Sequence, residues 1–359
     1  MMNRSTPQGL FCEAGGFHID PWQPVDRAVI THAHSDHASP GSTSYLCAAP
    51  GERVLRRRLP EARVETLPYG ETIAIGETRV SFHPAGHILG SSQVRVEHRG
   101  EVWVVSGDYK RQPDPTCEPF ETVRCHTFIT EATFALPIYT WDSTAAIVDD
   151  IVSWWHANRE QERPSIIFCY VLGKAQRILA ELRDKADAPV HLHGAMEALT
   201  ETYRDSGIAM APTERISESM RGKMLARTLV LAPLSARGTV WMRRLPNAAV
   251  AFASGLMRVR GVRRQRAFDR GFVLSDHADW PALLSTIADT GATRVLVTHG
   301  WSEALARYLA ETRGLETGTI RTAFEGEAGE LTEAEDGGGT PEVGGRKPEV
   351  GGATTGEGT

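Results

Sequence analysis

The chain of 359 residues contains no apolar stretch near the roughly 18–20 residues that a membrane-crossing helix requires. Its first residues, Met-Met-Asn-Arg-Ser-Thr-Pro-Gln-Gly, have no apolar signal core, so a cytoplasmic protein is expected. Cysteine is sparse: Cys12, Cys47, Cys117, Cys125 and Cys169 are odd in number and widely spaced. That excludes a disulfide frame and a zinc ribbon, and fits reduced, mostly buried thiols. Most of the chain also lacks net charge. Residues 326–359 hold eight acidic and two basic residues, which accounts for the whole net −6. That segment has almost no large apolar residues and repeats Pro-Glu-Val-Gly-Gly, so it is expected to be a disordered tail with no catalytic role.

The neutral body has one strongly basic region. Residues 211–270 carry thirteen Arg or Lys against three Asp or Glu, with Arg258, Arg260, Arg263, Arg264, Arg266 and Arg270 crowded together. One-sided positive charge on a neutral body points to a polyanionic substrate, with a solvated charged face as the alternative. The apolar fraction of 41% is ordinary for a protein with a sizeable core.

The densest chemistry is at residues 32–37, His-Ala-His-Ser-Asp-His, behind the apolar run Ala28-Val29-Ile30-Thr31. A strand delivers these ligands and the turn after it fans them out. His32 and His34 are two apart and can point the same way; Asp36 and His37 are adjacent, so their side chains diverge. One loop can then serve two metals, and imidazole with carboxylate suits zinc or a similar cation. Three further candidates each follow a strand-like run. His87 lies between glycines in Pro84–Ser92, Asp108 follows Val102–Ser106 and Gly107, and His299 ends Val295–Thr298. Singly they are weak; their repeated placement at strand ends strengthens them.

Short β-runs fill the first third: Arg27–Thr31, Thr78–His83, Gln93–His98 and Val102–Ser106, with one helix over Gly51–Leu59. From 144 the texture changes. Residues 144–158 have helical periodicity, Ser165–Tyr170 reads as a buried strand and Gly173–Lys185 as a helix. Leu229–Ala232, Ala249–Ala253, Gly271–Leu274 and Arg294–Thr298 read as strands, with a helix near Ser302–Thr312. The alternation predicts an α/β chain.

These motifs resemble the metallo-β-lactamase superfamily and, within it, the β-CASP nucleases. The matching pieces are Thr-His-Ala-His-Ser-Asp-His, Ala-Gly-His-Ile-Leu-Gly-Ser, Ser-Gly-Asp-Tyr and Asp20 in His-Ile-Asp-Pro. The β-CASP features are Glu131 in Thr-Glu-Ala-Thr-Phe, His277 in Leu-Ser-Asp-His-Ala-Asp and His299 in Val-Thr-His-Gly. Ala14-Gly15-Gly16, Asp20-Pro21-Trp22, residues 107–111 and residues 172–177 look like the bacterial ligase-associated DNA exonuclease group. The resemblance covers roughly residues 1–325.

The resemblance implies a four-layer αββα sandwich built from residues 1–135 and 271–325, with a β-CASP domain inserted at 136–270. It implies two divalent cations, zinc or manganese. One would take His32, His34, His87 and Asp108; the other would take Asp36, His37, His299 and the shared Asp108. Glu131 would orient His277, which protonates the leaving oxygen or binds the scissile phosphate, while Asp20 would position a ligand. Lys174, Ser91, Arg258 and Arg260 are candidate substrate contacts, with a helix start as the alternative role for Lys174 and a turn cap as that for Ser91.

The implied activity is degradation of DNA, by an exonuclease in repair, with an ATP-dependent DNA ligase and a helicase as partners and no membrane. An RNA-processing nuclease is the first alternative, because His at the His299 position is usual in RNA-acting members where several DNA-acting members have Val. A small-molecule lactonase or thioesterase is disfavoured by the long insert and the Glu131/His277 pair. A non-catalytic subunit is disfavoured because no ligand is missing. His191-Leu192-His193 imitates a ligand pair but is expected to be structural. Trp154-Trp155 reads as core, and Asp276 and Asp279 read as helix caps.

Overall fold

Three sheets organise the chain in a computed structural model that describes residues 3–217, 219–259, 261 and 267–320. The early β-runs form the first sheet in simple sequence order: β1 (Asn3–Thr6), β2 (Gly9–Cys12), β3 (Phe17–Ile19), β4 (Arg27–Val29), β5 (Ser44–Ala48) and β6 (Val64–Leu67). The second sheet begins with the antiparallel strands β7 (Thr72–Ile75), β8 (Thr78–Pro84), β9 (Ser92–His98) and β10 (Glu101–Val105). The alternating apolar residues Val80, Phe82, Val94 and Val96 point inward. They meet Phe17, Ile19, Val29 and Leu46 of the first sheet in one shared core.

The second sheet then turns parallel. β11 (Thr127–Glu131) pairs with β10, and after a long excursion β18 (Arg294–Thr298) pairs with β11 and β19 (Glu316–Thr319) with β18. β11 is buried along its whole length, as a parallel strand covered on both faces must be. The helix α1 (Glu52–Arg58) covers the outer face of the first sheet through Val54 and Leu55.

The excursion contains the third sheet, all parallel, with strands in the spatial order 213–215, 190–192, 229–232, 165–168, 249–253 and 270–272. Its strands are β12 (Ser165–Phe168), β13 (Val190–Leu192), β14 (Thr213–Arg215), β15 (Leu229–Ala232), β16 (Ala249–Ala253) and β17 (Arg270–Phe272). The amphipathic helices α2 (Thr144–Glu160), α3 (Lys174–Glu181) and α4 (Gly194–Asp205) lie in the connections. They bury Ile151, Trp155, Ile178 and Met196 against Ile167, Leu229, Leu231 and Ala251. Trp155 is fully buried, in line with its reading as core. The helices α5 (Trp280–Thr290) and α6 (Ser302–Arg313) close the chain onto the second sheet through Leu283, Ile287, Leu305 and Leu309.

Several boundaries differ from the sequence expectation. The helix read over 173–185 ends at Glu181, and the strand read over 165–170 ends at Phe168. The helix at Gly194–Asp205 was not anticipated, whereas the helix at Trp280–Thr290 follows Asp279 as that residue's reading as a cap expects. The acidic tail 326–359 and Arg260, Arg263, Arg264 and Arg266 lie outside the described residues. Among the described residues no helix is long and apolar enough to cross a membrane.

Candidate metal centre

The loop after β4 is pinned before it presents its ligands. Ile30 donates its amide to Leu46 O (2.8 Å), Thr31 O accepts from the Ser92 amide (2.8 Å), and Arg58 donates to Ala33 O (2.5 Å). The chain then makes a helical turn, with the His37 and Ala38 amides both directed at His34 O (3.2 and 2.9 Å). This turn corrects one expectation. Asp36 and His37 do not diverge as neighbours in an extended chain would; His37 Nε2 lies 3.6 Å from Asp36 Oδ2.

Two clusters result. His32, His34, His87 and Asp108 offer ligand atoms that all lie within 4.8 Å of one another, and so do Asp36, His37 and His299. Asp108 Oδ2 is 3.6 Å from His32 Nε2, 3.8 Å from His87 Nε2 and 3.4 Å from His37 Nε2, so it faces both clusters. Strand ends and tight turns put these residues there. Asp108 follows Gly107, whose φ of +56° brings it so close to Thr31 that a Cβ would stand 2.6 Å from the Thr31 side chain. His299 itself has φ of +58°, in the left-handed region that a non-glycine residue occupies only when its surroundings hold it there. Asp20 shares this feature with φ of +44°.

Hydrogen bonds assign the imidazole protons away from the clusters. His37 donates from Nδ1 to Asp20 Oδ2 (2.7 Å), His87 from Nδ1 to Asp276 O (2.8 Å), and His34 from Nε2 to Leu172 O (3.1 Å). Thr31 Oγ1 gives its proton to Asp20 Oδ2 (2.5 Å) and so accepts from His32 Nδ1 (3.1 Å). The lone-pair nitrogens therefore face one another: His34 Nδ1 is 3.1 Å from both His32 Nε2 and His87 Nε2. Donors about 2.0–2.1 Å from a tetrahedral ion stand about 3.3 Å apart, so this spacing is that of a ligand set.

The electrostatics agree with a cation. Burial pushes His32, His34, His87 and His299 below the ordinary imidazole range, which keeps them neutral and able to ligate. Burial also opposes a proton on His37, but Asp36, Asp108 and Asp20 outweigh it and raise its pKa well above the usual value. Three carboxylates around one imidazole mark a place that demands positive charge. The buried His37 Nε2 has no hydrogen-bond partner of good geometry even with Asp108 3.4 Å away. These residues fit divalent cations.

Beside them, His277 Nδ1 lies 2.8 Å from Glu131 Oε2, and both residues are buried. Glu131 Oε1 accepts the Tyr109 amide (2.7 Å), while the His277 carbonyl accepts from Trp141 Nε1 (2.9 Å). Asp108, Glu131 and His277 also converge within 4.8 Å. The His277 ring packs 4.7 Å from the His87 ring, so the pair adjoins the first cluster.

The candidate substrate contacts fare differently. Lys174 does open α3, but its ammonium is fully buried against Asp276 Oδ2 (3.1 Å) and Leu274 O (2.9 Å), so it holds the 274–276 segment rather than facing an open surface. Ser91 is buried too; its Oγ accepts the His87 and Ile88 amides (3.0 and 3.2 Å) and shapes the His87 turn. Arg258 bonds Thr140 Oγ1 (3.0 Å) and pairs with Asp142 (3.2 Å), securing the loop that carries Trp141. Asp279 caps α5 through the Ala282 amide (3.0 Å), whereas Asp276 is not a cap but an ion-pair partner of Lys174 and Arg177. His193 caps α4 and His191 lies near Glu214; neither joins a metal-type cluster among the described residues.

Sequence reasoning missed Thr31, Trp141 and the buried charges Lys110, Asp114 and Arg177. The signal for Arg177 and Lys110 was present only as phrases of the resemblance, not as a pattern with its own chemistry.

No family model matches the chain. It is similar to a protein called Probable DNA ligase from Opitutus terrae, with 34% identity over 87% of this chain and 30% of the relative. It is also similar to Transcription termination factor FttA of Pyrococcus abyssi (26% identity, 55% of this chain, 36% of the relative) and to an RNase J-like protein of Methanocaldococcus jannaschii (23%, half of each). The chain thus spans no more than half the length of these relatives. Among solved structures, a protein of unknown function from Enterococcus faecalis shares the fold with a TM-score of 0.56 at 13% identity, covering 82% of this chain and 78% of that one. The sheets, the histidine–aspartate clusters and these likenesses define a metallo-β-lactamase-type protein. The chain belongs to the β-CASP branch of that superfamily.

Proposed function

We propose that the protein is a metal-dependent nuclease that degrades DNA, as an exonuclease in repair. The observation that carries this reading is the buried Glu131–His277 pair, 2.8 Å apart, set beside two ligand clusters that meet at Asp108. A small-molecule hydrolase needs the metals but not this additional acid–base pair.

His32, His34, His87 and Asp108 would hold one cation, and Asp36, His37, His299 and Asp108 the other. Bound there, two zinc or manganese ions would activate water and neutralise charge developing on the phosphate. The rest falls to the chain. Asp20 keeps the Nδ1 proton of His37 turned away from the cluster, and Asp276 O does the same for His87. Glu131 holds the Nδ1 proton of His277 and aims the opposite edge of the ring. His277 then delivers a proton to the leaving sugar oxygen.

We read the paired sheets with α1 on one outer face and α5 and α6 on the other as the four-layer αββα sandwich. On this reading residues 1–135 and 271–325 make the metallo-β-lactamase domain, and 136–270 are the β-CASP insert with its parallel sheet. The ligase name of the Opitutus relative supports DNA as substrate and a DNA ligase as partner class; a helicase of the same repair system is implied by the family resemblance alone. The RNase J-like relative and the endoribonuclease YSH1 of Gibberella zeae (27% identity over 33% of this chain) favour a second reading, an RNA-processing nuclease.

Purified protein with zinc or manganese and end-labelled single-stranded DNA, duplex DNA and matched RNA separates these readings. A mononucleotide ladder from DNA alone is expected. Equal or better cleavage of RNA would transfer the assignment to the second reading.

A further inference from the structure

The chain leaves the second ligand cluster through two successive left-handed residues, His299 (φ +58°) and Gly300 (φ +56°). Gly300 lies flat against the end of β11, where a Cβ would stand 2.4 Å from Ala132 O, and the Trp301 amide donates to that same carbonyl (2.9 Å). Trp301 is thereby fixed between a ligand histidine two residues before it and Glu131, the neighbour of Ala132. Its side chain, however, stays only half covered. It is 49% exposed, one of few large apolar side chains on the described surface, although α6 begins at the next residue and buries Leu305 and Leu309 nearby.

Trp301 lines an open pocket of about 480 Å³ with Gly300, Ser302, Glu303, Ala304 and Arg307. Arg307 is exposed and forms no ion pair among the described residues, even with Glu303 one turn away. An immobilised backbone two residues beyond His299, an exposed aromatic face and a guanidinium with no ion pair among the described residues, together in one open pocket, suit one ligand chemistry. That ligand has a flat π-face and a negative charge attached to it.

We propose that Trp301 and Arg307 form a nucleotide subsite, in which a base of the substrate strand stacks on the indole and its phosphate faces the guanidinium. The subsite rests on the nuclease reading and gives it a positioning element outside the ligand clusters. Because every base has a π-face, the stack holds a strand near the cleaved bond without reading its sequence.

The test is a cycle between the indole and one base. Steady-state cleavage is measured for wild type, Trp301→Ala and Trp301→Phe on end-labelled DNA and RNA oligonucleotides. Each oligonucleotide is intact or carries a single abasic site at successive positions from the cleaved end. In the wild type, one abasic position raises KM by about fivefold to a hundredfold, the range of one base–aromatic stack, with a smaller effect on kcat. Trp301→Ala raises KM similarly on the intact strand and is then insensitive to that abasic site, while Trp301→Phe restores most of the binding. Circular dichroism and metal content establish that the variants are folded, and Trp301→Phe carries the comparison where Trp301→Ala is not. An unchanged KM in Trp301→Ala, or an abasic penalty that persists in full in that variant, overturns the subsite alone. Absence of any cleavage by the wild type overturns the nuclease reading and the subsite with it.

Discussion

Asp20 Oδ2 sits 2.7 Å from Nδ1 of His37, and Oδ1 of the same carboxylate takes the Thr31 amide at 2.8 Å. One carboxylate therefore fixes both the entry to the ligand loop and the tautomer of a histidine near its end. Asn is the informative substitution, because it keeps the shape and tolerates the left-handed backbone at this position. Asp20→Asn is expected to weaken metal binding by about 10- to 100-fold while leaving the fold intact. Chelator competition with zinc measures this, and an unchanged affinity would remove Asp20 from the site.

Asp108 stands between the clusters, 3.4 to 3.8 Å from nitrogens of His37, His32 and His87. Asp108→Ala takes a donor from both proposed coordination sets at once. The expected result is fewer bound metals per chain and a fall in nuclease turnover of about a hundredfold or more, since metal clamps supply several kcal/mol. Retention of a full metal complement together with activity would show that the two sets do not share this carboxylate.

The Glu131–His277 pair predicts the opposite combination. His277→Ala should keep its metals and lose about 10²- to 10⁴-fold in kcat, the usual contribution of a positioned acid–base group. Glu131→Gln preserves the shape around the Tyr109 amide and should lose less. Metal analysis beside single-turnover kinetics distinguishes the roles, because metal loss in His277→Ala would make that residue a ligand instead.

The ligand clusters were legible because their chemistry is local. His32, His34, Asp36 and His37 share one loop, and His87, Asp108 and His299 each follow a strand that the alternation of residues reveals. The strands Leu229–Ala232, Ala249–Ala253 and Arg294–Thr298 are found at their expected bounds. What could not be read was partnership across long separations. Lys174 and Ser91 are residue types that often meet phosphate, and nothing local says that Asp276, about a hundred residues on, neutralises Lys174, or that Ser91 turns back onto the His87 amide. The helix at Gly194–Asp205 was missed for a related reason. Its start is capped by His193, which in sequence reads only as half of a ligand-like pair.

The buried charges carry the last prediction. Arg177 donates to Ser275 O (2.6 Å), pairs with Asp276 Oδ1 (3.1 Å) and Asp114 Oδ2 (3.2 Å), and is 1% exposed. Lys110 pairs with Asp114 and Lys174 with Asp276, both at 3.1 Å. The network thus joins the segment after Asp108, the start of α3 and the segment that leads into His277. Removing one member strands its partner's charge in a medium that solvates it poorly, so Arg177→Met should cost about 3–5 kcal/mol, read by urea unfolding of metal-free protein. The pH dependence has a definite sign. Burial alone would raise the Asp276 carboxyl, but Lys174, Arg177 and Lys110 hold it far below the usual carboxylate range. A depressed folded value means that the stabilisation is complete above the unfolded pKa of about 3.9 and is lost as pH falls below it. Asp276→Asn should therefore be destabilised at pH 7 and show a shallower loss of stability than wild type between about pH 4 and 2. Parallel acid-unfolding curves for the two proteins would show that the network does not stabilise the junction that carries His277.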